Sequence, residues 1–495
     1  MKQCSNGKHH QQSNPSDQEK ALSRREFLEI MGTLAAGLVV VGCQRKSPVQ
    51  TLPPTGPSTP VPSPQPTAVS VASSTSPIGI AKGIYPGRVV WVHNPEATSW
   101  DGSTGHWWDE GNIDQATVSE MISQALRKQT GQPDDRAAWQ ALFKYFNNTH
   151  DRPGTGYQAG EKIAIKINMN TGGSPNYQGN ASFTSPPMIY ALLRQLVTEA
   201  GVPATDIAVY DATRYIPDSV TERCRTPELA GVQFVDWAGG IGKEVYRRDL
   251  KCQIHWSEDV HGNPTYLPTC VTQAQYIINL ASLKGHNLAG VSLCAKNHFG
   301  TLCSDLEGKP TQQAPQGANI HGYVAAHDYS WGPEWTWPQR PMGTYNALVD
   351  LMGHKHLGAK TLLFMLDGLY ASENQSDEIT HDSRWQSKPF GNNWPSSLFI
   401  SQDGVAIDSV GLDFLRSEPT ILKLPDVLPP NSTADNYLHE SALADKPPSK
   451  TRYDPAGDGG GLTSLGVHEH WNNPVDKQYS RNLGTGEGIE LVQVA

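Results

Sequence analysis

A strand, a helix and a second strand follow one another early in the folded region, and this order constrains the fold most. The segment 160–170 (GEKIAIKINMN) alternates lysine with isoleucine over the length of one strand. A Thr-Ser-Pro-Pro start at 184–187 and an apolar face over 188–200 predict a helix. A second apolar strand is predicted at 206–211. Strands joined by a helix form a right-handed crossover, so we predict an α/β fold with a mostly parallel sheet and flanking helices.

Further apolar segments extend this pattern along the chain. The sequence predicts strands at 88–93, 276–280, 360–367 and 397–401, and helices at 113–126, 135–146, 345–357 and 403–416. Asn112 is the predicted cap of the first helix. A β-rich insertion is predicted at 231–272. The tryptophan-containing segment 309–340 is too long for a simple connection, so we predict a lid or wall there.

The first 43 residues have the features of an export signal. Arg24 and Arg25 lie in a twin-arginine motif (SRREFL), and the apolar stretch 30–42 is too short to span a bilayer. The end of this stretch, VVGC, resembles a lipobox, in which the chain is cleaved before Cys43 and the thiol is lipidated. We therefore expect export by the twin-arginine machinery and membrane attachment through Cys43. The alternative is an ordinary cleaved signal with an incidental cysteine.

Composition divides the rest of the chain. Residues 44–83 begin with a segment rich in proline, serine and threonine, which cannot bury enough apolar surface to fold, so we predict a disordered tether. The α/β domain is predicted to span 84–430. Residues 431–495 are predicted to be a loop-rich extension packed on the same domain.

Charge and missing motifs exclude several functions. The net charge of -10 argues against a nucleic-acid partner, because phosphate binding needs a concentrated basic surface. The sequence has no Gly-x-Ser-x-Gly elbow, no Gly-Lys-Ser/Thr phosphate loop and no dinucleotide fingerprint. Serine hydrolase, P-loop and Rossmann functions therefore lack support.

The seven cysteines include no Cys-x-x-Cys pair, so a local iron–sulfur or zinc-ribbon motif is not expected. Cys252 and Cys270 flank a predicted hairpin with its turn at 262–264. In an oxidising compartment this pattern is compatible with a disulfide and equally with two free thiols.

The stretch 275–305 (QYIINLASLKGHNLAGVSLCAKNHFGTLCSD) combines an apolar strand with a cluster of cations. Its pattern of Leu-Lys-x-His, Gly-Val-x-Leu and Lys-Asn-His-Phe-Gly resembles the hallmark of the domain of unknown function 362 family. The likeness extends from about 160 to about 417. In the usual form of that family a threonine stands at the position of Gly285. The resemblance implies membership of the family and no particular reaction.

Polar residues follow the predicted strands at the points where the strands end. These residues are Asn168, Asn170, Asp211, Lys284, His286 and Asp367, and Asp403 and Asp408 follow the last predicted strand in the same way. Ligands of parallel sheets bind beyond the carboxyl ends of the strands, where the loops converge. The sequence therefore predicts one binding site formed at this edge of the sheet.

We assign roles within this site from side-chain chemistry. Lys284 and Lys296 are predicted to bind a small anionic substrate or cofactor, since ammonium groups bind oxyanions. Asn297 and the two asparagines after the first strand are the predicted further substrate contacts. His286 is the predicted acid/base catalyst, and the two lysines share the catalytic assignment. The alternative is that one lysine pairs with a structural carboxylate and the other is solvated.

A divalent metal of unassigned identity is also predicted, at one of two places. The first combines Asp211 and Asp367 with His298, because imidazole and carboxylate groups ligate zinc, iron, manganese or nickel. The second, near the C-terminus, contains His439, His468 and His470. The alternative for both places is a set of structural, hydrogen-bonded histidines.

These features predict a membrane-tethered, extracytoplasmic protein that binds a small anionic molecule at the strand ends with a divalent metal. Enzymatic activity is compatible with this site, although the sequence assigns no reaction. The alternative is a non-catalytic, solute- or glycan-binding surface lipoprotein that uses its tryptophan-rich loops for stacking.

Overall fold

The computed structural model describes residues 76–170, 174–260, 264–303, 320–330, 336–418, 420–421 and 432–494. The predicted export signal, including Arg24, Arg25 and Cys43, lies outside the described residues. So do Trp331, Trp335 and the centre of the hairpin turn predicted at 262–264. Among the described residues, no helix is both long and apolar enough to cross a membrane.

Strands make up the centre of the structure. In chain order they are β1 (Ile78–Gly79), β2 (Arg88–His93), β3 (Ile163–Ile167), β4 (Ile207–Asp211), β5 (Gln233–Asp236), β6 (Glu244–Val245), β7 (Arg248–Gln253), β8 (Tyr266–Pro268), β9 (Tyr276–Ser282), β10 (Lys284–His286), β11 (Gly290–Ser292), β12 (Tyr329–Ser330), β13 (Thr336–Trp337), β14 (Thr361–Gly368), β15 (Ser397–Ser401), β16 (Val467–His468) and β17 (Glu490–Val494). The predicted strands at 88–93 and 397–401 are confirmed with their bounds.

Helices flank these strands. They are α1 (Gln115–Thr130), α2 (Asp135–Asn148), α3 (Pro186–Arg194), α4 (Asp218–Arg223), α5 (Thr269–Thr272), α6 (Cys294–Asn297), α7 (Ala347–Gly353), α8 (Gly404–Arg416) and α9 (Asn436–Ala442). Asp114, not Asn112, caps α1, because its carboxylate accepts a hydrogen bond from the amide of Thr117. The predicted cap is therefore wrong by two residues.

Nine of the described strands form one sheet, in the order β17-β2-β15-β14-β9-β3-β4-β5-β6. Every neighbouring pair is parallel except the two that involve β15. The predicted α/β fold with a mostly parallel sheet is confirmed. Its two faces are buried against separate apolar clusters, with Val89 and Trp91 on one face and Val90 and Val92 on the other.

The antiparallel direction of β15 changes one expectation. Asp403 follows this strand and was predicted to lie with the other strand-end residues. Because β15 is antiparallel, it ends beside the amino-terminal ends of the parallel strands, away from those residues. There, Asp403 caps α8 by accepting hydrogen bonds from the amides of Val405 and Ala406. Asp403 is therefore a helix cap and not part of the predicted site.

Both ends of the described chain join the domain. Ile78 and Gly79 of β1 pair with His468 and Val467 of β16, so the ordered pairing begins before the predicted boundary at residue 84. β17 adds a parallel strand to the sheet beside β2. The C-terminal region thus supplies an edge strand as well as loops.

The predicted β-rich insertion contains β5, β6 and the hairpin of β7 and β8. In that hairpin Arg248 lies opposite Pro268, and Gln253 lies opposite Tyr266. Cys252 therefore lies near one end of the hairpin, whereas Cys270 lies beyond the other end. Both cysteines are free, and the disulfide alternative is wrong for this register.

Candidate functional site

Lys166 lies at the centre of the strand ends, and its ammonium group is completely buried. It donates hydrogen bonds to the Ile167 carbonyl at 2.5 Å, to Asp211 Oδ2 at 3.1 Å and to Asn297 Oδ1 at 3.1 Å. Burial lowers the pKa of Lys166, and the charge of Asp211 opposes this shift. The ion pair between Lys166 and Asp211 joins β3 to β4 at the edge where their loops begin.

Asp211 is fully used by this arrangement. Besides Lys166, its carboxylate accepts hydrogen bonds from the amide of Met169 and from the amide and hydroxyl of Thr213. Gly300 lies against the pair, and a Cβ there would be 2.7 Å from Lys166 Nζ. The carboxylate therefore holds the strand ends together and has its acceptor positions taken.

Asn297 and His298 belong to the same buried network. Asn297 accepts a hydrogen bond from Asn168 Nδ2 at 3.3 Å and donates one to Asn279 Oδ1 at 2.8 Å. The Nε2 atom of His298 lies 3.0 Å from Asn279 Nδ2, and burial lowers the pKa of His298 to about 3. This histidine is completely buried and accepts a hydrogen bond, so it is a neutral structural residue.

Lys284 lies on β10, directly beyond the end of β9. Only 1% of its surface is exposed, and its ammonium group donates to the Ser182 carbonyl at 2.6 Å. Burial, followed by the positive charge of Arg214, lowers the pKa of Lys284 to about 7. Asp211 opposes this shift, whereas Lys166 and Lys296 add to it. Lys284 thus carries a charge that is only partly compensated.

Gly285 allows the backbone of β10 to approach a neighbouring loop. A Cβ at this position would lie 1.8 Å from the carbonyl oxygen of Glu373. The threonine of the usual family pattern therefore does not fit this backbone, because the obstacle is main chain and not a flexible side chain. The departure from the family pattern has a steric cause here.

Lys296 lies on the short helix α6, which is hydrogen-bonded to α8 through Asp408. Asp408 accepts hydrogen bonds from the amides of Cys294 and Ala295, at 2.8 Å and 2.9 Å. Lys296 Nζ lies 3.7 Å from the ring centre of Phe299, and its side chain keeps some solvent contact. Among the residues that the structure describes, its amine makes no hydrogen bond or ion pair.

The electrostatic environment of Lys296 is strongly positive. Desolvation, then the charges of Arg214 and Lys166, lower its pKa to about 7. Lys284 and Lys296 therefore both lose much of their preference for the charged state, and a bound anion would restore it.

His286 is oriented by the backbone of the tight turn between β10 and β11. Its Nδ1 atom accepts hydrogen bonds from the amides of Leu288 and Ala289, at 3.1 Å and 3.2 Å. Burial and the charge of Lys296 hold the pKa of His286 well below its usual range. The ring is therefore neutral, with its proton on Nε2, and this geometry favours a hydrogen-bond donor over the predicted acid/base catalyst.

Arg214 is an exposed residue that the sequence analysis did not select, and its guanidinium donates a hydrogen bond to the Thr213 carbonyl at 2.9 Å. It follows β4 by three residues, and its charge acts on Lys284, Lys296 and His321. The signal that could have found it is its place after a strand end that also carries Asp211. We use the name strand-end site for Arg214, Lys284, His286 and Lys296.

The described parts of the predicted lid form an aromatic wall beside this site. His321 packs on Phe299, with ring centres 4.7 Å apart, and Trp337 lies 5.4 Å from His321. Burial, then the charges of Lys296 and Arg214, lower the pKa of His321 to about 3. The wall is thus uncharged and contacts the side of the site that contains Lys296.

Asp367 and Asn170 are placed differently from the lysines. Asp367 accepts hydrogen bonds from the amide and hydroxyl of Ser185 and from the amide of Leu369, so it anchors the start of α3. Asn170 donates to Ser376 Oγ at 3.3 Å. Neither contact points to a ligand.

The C-terminal histidines pack on α8. The ring centres of His439 and His470 each lie 4.8 Å from that of His468. His468 Nδ1 lies 2.8 Å from Ser409 Oγ, and His470 Nδ1 lies 2.8 Å from Asp413 Oδ1. Burial opposes a charge on His470, but Asp413 and Asp435 outweigh it and raise the pKa of His470 to about 9. This cluster is a buried charge network that attaches the C-terminal region to α8.

The predicted metal ligands do not fit a shared metal site. The carboxylate oxygens of Asp211 and Asp367 accept hydrogen bonds from other groups of the protein. The Nε2 atom of His298 accepts a hydrogen bond from Asn279. Across the part of the chain that the structure describes, no group of three or more His, Cys, Asp or Glu side chains is arranged to hold a metal ion. The divalent metal stays a prediction, and no chemistry proposed below uses it.

The tryptophans named in the glycan-binding alternative are mostly internal where they are described. Trp100, Trp107 and Trp337 are at most 5% exposed. Trp107 packs on Phe183, with ring centres 4.8 Å apart. These indoles fill the interior and present no stacking face to solvent.

The fold and the strand-end site define an α/β protein with a cluster of cations at the carboxyl edge of a mostly parallel sheet. The chain belongs to the family described as Domain of unknown function (DUF362), whose model matches residues 163–413, half of the 495 residues. Among curated proteins, no sequence matches this chain.

Proposed function

We propose that this protein binds a small anionic molecule, carrying a carboxylate or phosphate group, at the strand-end site. The observation that carries the proposal is the uncompensated charge of Lys284 and Lys296 beside Arg214. Asp211 is committed to Lys166, so it offsets the charge of Lys284 only in part. A bound oxyanion would supply the missing acceptor, and charge-assisted hydrogen bonds of this kind are the strong ones.

The neighbouring groups support the same reading. The neutral His286 ring carries its proton on Nε2 and can donate a hydrogen bond to the anion without adding charge. The wall of Phe299, His321 and Trp337 excludes water from one side, which strengthens the electrostatic attraction. A site for a small anion fits these observations better than a surface glycan binder, because Trp100, Trp107 and Trp337 are buried.

Replacing Lys284 or Lys296 with methionine is expected to weaken anion binding about 10–100-fold, which corresponds to about 1.5–3 kcal/mol for one charged hydrogen bond. Binding of inorganic phosphate and of acetate would be measured by calorimetry. Both lysines have a pKa of about 7, so binding is expected to be tighter at pH 6 than at pH 8.

Lys144 offers the matched control, because it is an exposed lysine on α2. Lys144→Met should bind both anions as tightly as the unmodified chain. Equal affinity of all three variants, or binding that does not change between the two pH values, would contradict the proposal.

We also propose that the protein works outside the cytoplasm, held on a membrane by a lipid on Cys43. The twin-arginine motif and the lipobox-like VVGC support this location. Cys43→Ser is expected to move the exported protein from the membrane pellet to the soluble fraction. Fractionation with immunoblotting measures this change, and Cys224→Ser, at a buried cysteine of the domain, serves as the control. A Cys43→Ser protein that stays in the pellet would contradict the lipid anchor.

A further inference from the structure

A cavity of about 520 Å³ lies in the C-terminal region, and its described lining comes entirely from residues 444–462. It is therefore separate from the strand-end site. Its volume is within the range of about 300–1,000 Å³ that is typical of small-molecule sites. Two chain segments form its walls, 444–453 and 461–462.

Buried hydrogen bonds hold these two walls in place. The completely buried carboxylate of Glu440 accepts hydrogen bonds from the amide and hydroxyl of Ser449 and from the Tyr453 hydroxyl. The amide of Leu462 donates to the Tyr453 carbonyl at 2.9 Å and joins the second wall to the first. The cavity is thus already formed, so a ligand would bind without the entropic cost of ordering these segments.

Positive charge predominates at the mouth of this cavity. The stretch 446–452 (KPPSKTR) contributes Lys446, Lys450 and Arg452 to the lining, and all three are exposed. Asp445 is an acidic residue of the same lining. The whole chain carries a net charge of -10, so the cavity reverses that sign locally. A concave surface with one sign of charge concentrates ligands of the opposite sign.

Lys450 has a backbone conformation that lysine rarely adopts, with a φ of 65°. Glycine or asparagine would adopt this left-handed conformation with less strain. The amide of Lys450 donates to the Pro447 carbonyl at 2.9 Å, so the turn itself does not depend on a lysine side chain. Backbone strain of this kind clusters at ligand sites, and the charge of Lys450 is what it brings to this position.

Apolar groups form the floor beneath these cations. Ala444 is 3% exposed, and Tyr453 is completely buried. Leu462 is half-buried and packs on α7, where a Cβ at Gly353 would lie 2.1 Å from Leu462 Cδ1. A ligand in the cavity therefore meets apolar surface at the bottom and positive charge at the mouth.

We propose that this cavity binds a small organic oxyanion, in which a phosphate or carboxylate group is attached to an apolar body the size of one ring. The oxyanion accepts hydrogen bonds from Lys446, Lys450 and Arg452, and the apolar body packs on Ala444 and Leu462. Inorganic phosphate lacks the apolar body, and an uncharged ring lacks the oxyanion. Each should therefore bind more weakly than a molecule that combines the two.

Calorimetry on the exported protein tests this site with phenyl phosphate, inorganic phosphate and phenol as probes. The background is Lys284→Met, which weakens the strand-end site and leaves the cavity unchanged. Phenyl phosphate is expected to bind about tenfold more tightly than either of the other probes. Adding Lys446→Met or Lys450→Met should weaken its binding about fivefold, whereas adding Lys144→Met should not.

Hydrogen exchange locates the bound probe. Phenyl phosphate should slow amide exchange within 444–462, both in the unmodified protein and in Lys284→Met. Protection confined to other segments would overturn the proposal, and so would equal affinities for phenyl phosphate and inorganic phosphate. Unchanged affinity after both Lys446→Met and Lys450→Met are introduced together would also overturn it. None of these outcomes bears on the strand-end site, whose own variants are tested separately.

Discussion

Asp211→Ala is expected to lower the free energy of unfolding by about 3–5 kcal/mol, the usual cost of breaking a buried ion pair from one side. Lys166 would keep a completely buried ammonium whose carboxylate partner, 3.1 Å away, is lost. The amides of Met169 and Thr213 would lose their acceptor as well. Denaturant unfolding followed by fluorescence measures the loss.

Two further variants make this result specific. Asp382 is 99% exposed in its side chain, so Asp382→Ala should leave stability almost unchanged. Combining Asp211→Leu with Lys166→Met removes both charges and is expected to destabilise less than Asp211→Ala alone. The loss of unfolding free energy caused by Asp211→Ala should be smaller at high pH, because Lys166 can then release its proton and become neutral. A loss no larger than that of Asp382→Ala would contradict the buried-pair account.

His470→Gln is expected to remove roughly 3 kcal/mol of stability at pH 6, following from a pKa raised from 6.5 to about 9 in the folded protein. A raised pKa means that the folded state holds the proton more tightly than the unfolded state. The contribution of His470 is therefore complete below pH 6.5 and is lost as the pH rises through 9. Asp413, at 2.8 Å, and Asp435, at 3.5 Å, are the cause.

The measurement is a comparison of unfolding free energies of the two proteins between pH 6 and pH 9.5. The difference between unmodified protein and His470→Gln should narrow steadily over this range, since other titrating groups are common to both. His381 is an exposed histidine beside Asp382, and His381→Gln should show no such narrowing. A difference for His470→Gln that stays constant with pH would contradict the charged state of His470.

Local patterns in the sequence predicted the elements well. The bounds of β2 and β15 agree with the predictions, and α2 begins at the predicted residue. These signals are strong because apolar periodicity and β-branched runs act within one element. The cap of α1 was misplaced because Asn112 and Asp114 are both good caps, and only the folded loop decides which carboxyl or amide oxygen reaches the Thr117 amide.

The sequence did not predict the hydrogen-bond partners inside the candidate site. Lys284 and His286 lie on β10, directly beyond β9, and Lys296 lies on α6; their common role in one site stays a prediction. Asp211 was predicted to ligate a metal, but its carboxylate forms an ion pair with Lys166. Lys166 alternates with isoleucines in the sequence, and nothing local shows that the face it occupies would be buried on the sheet.

The sequence by itself determined the α/β class, the family and the edge of the sheet where the cations gather. These properties depend on periodicity within elements and on the order of strands and helices, which are local quantities. Tertiary structure alone decided that β15 runs antiparallel and takes Asp403 to the opposite edge. It also decided which carboxylates form hydrogen bonds or ion pairs with residues far along the chain. Among the described lysines of the site, Lys296 is the one whose amine has no acceptor in the described residues. Pairings between distant residues depend on the whole packed sheet, and no local pattern encodes them.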